Sequence, residues 1–77
     1  MIYYEVHENG AVLKAFRKAF NQDPNVMNGA PVDVQMAQLG KSNNMRIHGN
    51  LSGWDWETTG FEFPDEKSLA LFLLKWS

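Results

Sequence analysis

Apolar and polar residues alternate at the start of the chain. Ile2, Tyr4 and Val6 point one way and Tyr3, Glu5 and His7 the other, the two-residue period of a half-buried strand. Asn9-Gly10 ends that strand, and Asn9 then caps a helix from about Gly10 to Asn21. Here the period lengthens. Val12, Ala15, Phe16, Ala19 and Phe20 share one face, with Leu13 at its margin, while Lys14, Arg17, Lys18 and Asn21 share the other. Asp23-Pro24 stops the helix. The Asn-, Asp-, Pro- and Gly-rich run from Asn21 to Pro31 reads as a loop, with Val26 and Met27 tucked onto the core and room for a short helical turn.

Alternation returns at Val32, Val34 and Met36 against Asp33, Gln35 and Ala37, which predicts a second strand. The phase is lost at Gln38-Leu39, and Gly40 to Asn44 reads as a turn. Met45 and Ile47 then alternate with Arg46 and His48 in a third strand, so that these two strands are expected to form an antiparallel hairpin. Gly49 to Gly53 reads as another turn. In a fourth strand Trp54, Trp56 and Thr58 lie opposite Asp55, Glu57 and Thr59, and Gly60 breaks the phase before Phe61 and Phe63. A bulge at Thr59-Gly60 would bring Trp54, Trp56, Phe61 and Phe63 to the same side.

Pro64 closes this strand and opens a C-terminal helix over 64–77. Asp65 is its N-cap, Glu66 lies in the first turn and Lys75 in the last, each on the favourable side of the helix dipole. Leu69, Phe72, Leu73 and Trp76 make a core stripe at i, i+3, i+4, i+7. Ala70 and Leu74 widen it, and Leu71 lies on nearly the opposite face, which leaves Lys67, Ser68 and Lys75 for water. A small domain has little protein with which to cover a second face. Leu71 and Leu74 are therefore either under a sheet edge and loop or in contact with another molecule. The order strand, helix, three strands, helix predicts an α+β fold. Residues 1–77 form a single domain in which an antiparallel sheet of about four strands carries two helices, most economically on one face.

Composition narrows the function. The 77 residues include no Cys, which excludes a disulfide scaffold and a thiolate metal site and suits a reducing cytoplasm. Three Trp, two Tyr and five Phe supply the buried area that disulfides would otherwise replace. The net charge of −2 offers no global attraction for nucleic acid. The C-terminal helix is too short and too charged to span a bilayer, and residues 2–8 lack the basic start of a signal peptide.

The catalytic inventory is thin. His7 and His48 each lie on the polar face of a strand, and with Glu5 or Asp33 they would make at best a weak metal site, of no known ligand spacing. Asp55 and Glu57 share a strand face but read as a solvated edge. No serine sits in a nucleophile elbow, and the scattered glycines form no phosphate loop. No catalytic residue, metal or cofactor is assigned. Protein binding is the leading class, with Trp54, Trp56, Leu71 and Leu74 as contact residues and self-association into a homo-oligomer through the last helix. The alternative is a single-stranded nucleic-acid binder that stacks bases on sheet aromatics (Tyr3, Trp54 or Trp56) and offers the basic face Lys14, Arg17 and Lys18.

The ending Phe61-Glu62-Phe63-Pro64-Asp65-Glu66, followed by Ala70, Phe72, Leu73 and Trp76, resembles that of small accessory proteins encoded by tailed bacteriophages. Their last fifth is similar: a short strand, one or two acidic residues, then a helix closed by an aromatic residue. The resemblance implies a binder in the host cytoplasm that inhibits or redirects a host protein, such as a defence component, by occupying its surface. A structural subunit of the particle is a further class. The resemblance carries over no catalytic residue.

Overall fold

A computed structural model of the protein describes residues 1–27 and 29–76. Residue 28, in the predicted loop, and residue 77, at the end of the predicted last helix, lie outside the described residues. The chain runs β1 (Ile2–Glu5), α1 (Gly10–Gln22), α2 (Val32–Ser42), β2 (Arg46–Ser52), β3 (Asp55–Phe63) and α3 (Glu66–Trp76). The fold is α+β, but with three helices and a three-stranded antiparallel sheet in the order β1-β3-β2, where the residue pattern predicts four strands and two helices.

The difference lies mainly in one segment. Residues 32–37 are not a strand but the first half of α2. Val32, Met36, Leu39 and Gly40 fall at i, i+4, i+7 and i+8, and the last three are buried while Val34 is left exposed. The helical period that includes Leu39 wins over the Val32/Val34/Met36 alternation because it lays a continuous apolar stripe on the sheet. The helix ends with Asn44 in the left-handed region (φ 54°) and the Met45 N–H donating to the Gly40 carbonyl at 2.9 Å, a Schellman-type stop. The hairpin is accordingly β2–β3. Most of the predicted Gly49–Gly53 turn is strand, and β2 runs on to Ser52.

Met27, expected on the core, is 63% exposed, and Ser68, expected to face water, is buried, but several local expectations hold. Asn9 caps α1, its Oδ1 accepting from the N–H groups of Ala11 and Val12. Asp65 caps α3, accepting from the Ser68 N–H at 2.8 Å. That N–H, and then the Ser68 hydroxyl, hold the Asp65 carboxyl below its ordinary range. The bulge also stands where expected. His48 pairs with Gly60 but Gly49 pairs with Thr58, so Thr59 is the extra residue on β3. The phase shift puts Trp56 on the same side as Phe61 and Phe63, against the core, whereas Trp54, expected with them, lies outside the strand and is exposed.

All three helices cover one face of the sheet. Ile2, Tyr4, Ile47, Phe61 and Phe63 point into it, with Phe16 of α1 5.0 Å from Phe61 and Phe72 of α3 5.6 Å from Phe63 between ring centres. Tyr3, Glu5, His48 and Glu62 lie on the open face.

A polar joint ties the helices together. Asp23, the C-cap of α1, is 5% exposed. Its Oδ2 accepts from the Ser42 hydroxyl and the Asn43 amide, each at 3.0 Å, and its Oδ1 from the backbone and side chain of Asn25 at 2.9 and 3.1 Å. Asn43 Oδ1 in turn accepts from the Trp76 indole N–H at 2.9 Å, and the Asn44 amide donates to the Ser68 hydroxyl at 2.9 Å. The end of α2 thus holds α1 through Asp23 and α3 through Trp76 and Ser68.

Burial alone would push the Asp23 carboxyl up. The donors outweigh it, the Asn25 N–H first and then the side chains of Asn43, Ser42 and Asn25, and hold it below the ordinary carboxylate range. The sign follows. A carboxyl whose folded pKa is depressed stabilises above its unfolded pKa, and loses that contribution as pH falls through the folded one. Asp23→Asn is expected to lower the unfolding free energy by about 1–3 kcal/mol at neutral pH. In urea titrations its deficit against the wild type should shrink below about pH 4. A deficit that does not change with pH would show that the charge plays no part in the joint.

Candidate functional site

The β2–β3 hairpin presents the most exposed aromatic residue. Ser52 pairs with Asp55, leaving Gly53 and Trp54 as a two-residue loop. Gly53 has φ +60° and Trp54 does not share the positive φ, the pattern of a type II′ turn, which needs Gly in the first loop position. Trp54 is thereby held at the tip, 97% exposed. Trp56, two residues inward, is half-buried, and its Nε1 donates to the Thr58 hydroxyl at 2.9 Å. Its indole lies across Gly49 of β2, where a Cβ would run into the ring and into the Glu57 carbonyl. The glycine is a slot for the tryptophan, which is why this stretch is strand and not turn.

The basic face meets this hairpin at one residue. Lys14, Arg17 and Lys18 are all exposed on α1, and Arg17 lines a shallow cleft with Phe20, Trp54, Asp55 and Trp56. Leu71 and Leu74 are elsewhere. They are 56% and 80% exposed on α3, which meets β3 at its Phe63 end through Phe72. Trp54 stands beyond the opposite end of that nine-residue strand, roughly 25–30 Å away along it. The sequence-predicted contact residues therefore fall in two places. Trp54, Leu71 and Leu74 are open to a partner, whereas Trp56 supports the hairpin from inside.

β3 lies between β1 and β2, so the strands that lead to His7 and carry His48 are not neighbours. His48 Nε2 instead lies 3.0 Å from Glu62 Oε1, and its ring meets Tyr3 edge-on at 5.4 Å. Among the described residues no three His, Asp or Glu side chains are gathered to hold a metal, and no helix is long and apolar enough to cross a membrane. Sequence reasoning passes over the Asp23 joint. Its signal is an Asp at a helix stop and an Asn pair ending the next helix, each ordinary for a turn.

Comparison with protein-family models, with curated proteins and with solved structures returns no match. The functional reading rests on this chain's own surface.

Two outcomes test this geometry. Gly49→Ala should destabilise the protein by about 1–3 kcal/mol in thermal or urea unfolding, because the methyl must displace both the Trp56 ring and backbone. Iodide should quench the emission of Trp54 first. Trp54→Phe should remove most of the quenchable, red-shifted fluorescence and leave the emission of half-buried Trp56 and of Trp76, which is 6% exposed. Unchanged quenching in Trp54→Phe would place Trp54 against protein.

Proposed function

We propose that the chain is a small, non-enzymatic protein-binding domain that acts by occupying the surface of a larger partner. In the phage setting that its ending suggests, the partner is a host protein, inhibited or redirected in the host cytoplasm. The observation that carries the reading is Trp54. A tryptophan 97% exposed on a rigid two-residue turn, backed by the anchored Trp56, loses little freedom when buried and offers a large apolar contact. Leu71 and Leu74 form a second apolar patch, one helical turn apart, with Lys67 and Lys75 a turn to either side of Leu71. That patch suits pairing of two copies through α3.

Single-stranded nucleic acid is the second reading, favoured by Arg17 beside the two tryptophans. Asp55 in the same cleft, and Glu5 and Glu62 around Tyr3 on the open sheet face, oppose a phosphate backbone.

The test is a pull-down of the tagged protein from nuclease-treated bacterial lysate, with bound material identified by mass spectrometry. A single stoichiometric host protein, lost with Trp54→Ala, is expected. Nucleic acid in the untreated control, with no protein partner, would favour the second reading. Leu71→Glu should leave the unfolding free energy within about 0.5 kcal/mol of wild type, as an exposed substitution does, and abolish association in sedimentation. An unfolded Leu71→Glu protein would place the residue in the core.

A further inference from the structure

We infer that the free edge of β2, together with the flank of α2 beside it, takes an extended peptide as a fourth strand of the sheet. β2 is an outer strand seven residues long, paired only with β3. The other outer strand, β1, has four residues and carries Glu5. Sheet edges are ordinarily guarded by inward charges, proline, bulges or a covering element. In β2 the only Lys, Arg, Asp or Glu is Arg46, at its first position. The strand holds no proline, and the extra residue of the bulge, Thr59, belongs to β3. Alternate backbone N–H and C=O groups along this edge are therefore available to a strand laid beside it.

The side of the edge is shaped as well. One flank of α2 is tied to the preceding loop. The Met27 N–H donates to Gln38 Oε1 at 2.9 Å, Gln35 Nε2 donates to the Met27 carbonyl at 3.1 Å, and Ser42 bonds Asp23. The opposite flank, Asp33, Ala37 and Lys41, is exposed and borders a groove shared with Met36 of α2, Ile47 of β2 and Trp56. The middle of this groove is apolar. Every second side chain of an added strand points toward the helices and into it. The ends carry opposite charges, Asp33 at one and Lys41 with Arg46 at the other. The fitting peptide has apolar residues at alternate positions, an acidic group toward Lys41 and a basic one toward Asp33. This surface excludes Leu71 and Leu74 and reaches Trp54 only at its Asp33 end, where Asp33 and Leu51 border the turn.

The experiment selects a random-peptide display library on the full-length protein, then measures synthetic copies of the enriched sequences by titration and amide hydrogen exchange. Enriched peptides should alternate apolar residues and end in an acid, and should slow exchange along β2. N-methylation at alternate peptide nitrogens should abolish binding without touching the protein. Ala37→Arg, which fills the groove from an exposed helix position, should abolish it too, and Lys41→Glu should weaken it about tenfold. The inference is overturned by failure to enrich, by peptides that tolerate N-methylation at every position, or by protection on α3 in place of β2. Self-association that protects β2 without peptide would overturn it in favour of a second copy of the chain.

Discussion

The Asp23 carboxylate, and the short segment that donates to it, is the constraint on which the arrangement of helices depends. α2 ends at Ser42-Asn43-Asn44, where Ser42 and Asn43 reach the cap of α1 and Asn43 and Asn44 reach α3. A buried carboxylate is costly unless donors surround it, and here the donors come from both sides of the chain's middle. The joint therefore does more than satisfy a charge. It ties the C-terminal end of α1 to that of α2 and receives the indole of Trp76, which holds the apolar faces of the helices over the sheet.

The sheet answers with two local adjustments. Thr59 is inserted opposite the His48–Gly49 step, which turns Trp56 to the side of Phe61 and Phe63. Gly49 then leaves room for that indole to cross β2. The hairpin beyond the core is stiffened by these contacts, and its tip carries Trp54 on a backbone that has few alternatives. The backbone beneath Trp54 is thus ordered before any partner binds, while the exposed indole keeps its own freedom until then.

The sequence made much of this legible, where the chemistry was local. Asn9 and Asp65 at their caps, the clean wheel of α1, and the phase break at Gly60 each have one physical reading, and the structure follows it. The α2 segment did not, because Val32, Val34 and Met36 fit a strand over a short window and a helix over a longer one. Only the tertiary need to cover the sheet chooses between them. Gly49 misled for a related reason. A glycine that makes room for a distant tryptophan looks, along the chain, like a glycine that makes a turn. Of the candidate site, the helical wheel singled out Leu71 and Leu74 but left open whether a sheet edge and loop cover them, and the structure leaves both exposed. The separation of those leucines from Trp54 was not, because it depends on which end of β3 each element meets.

The pairing of β1 with the far end of β3 sets the order in which this protein can be made. Residues 2–5 find their partners at 60–63, nearly the whole length of the chain away. The β2–β3 hairpin and its α2 neighbour have their contacts close at hand, but the first strand synthesised has to wait for the last one before it has an edge to join. During translation the segment that carries β1 and α1 is therefore an unfinished half-core until residues 60–63 have been made. A chain cut short before Phe63 would leave Ile2 and Tyr4 without the strand they are built to meet.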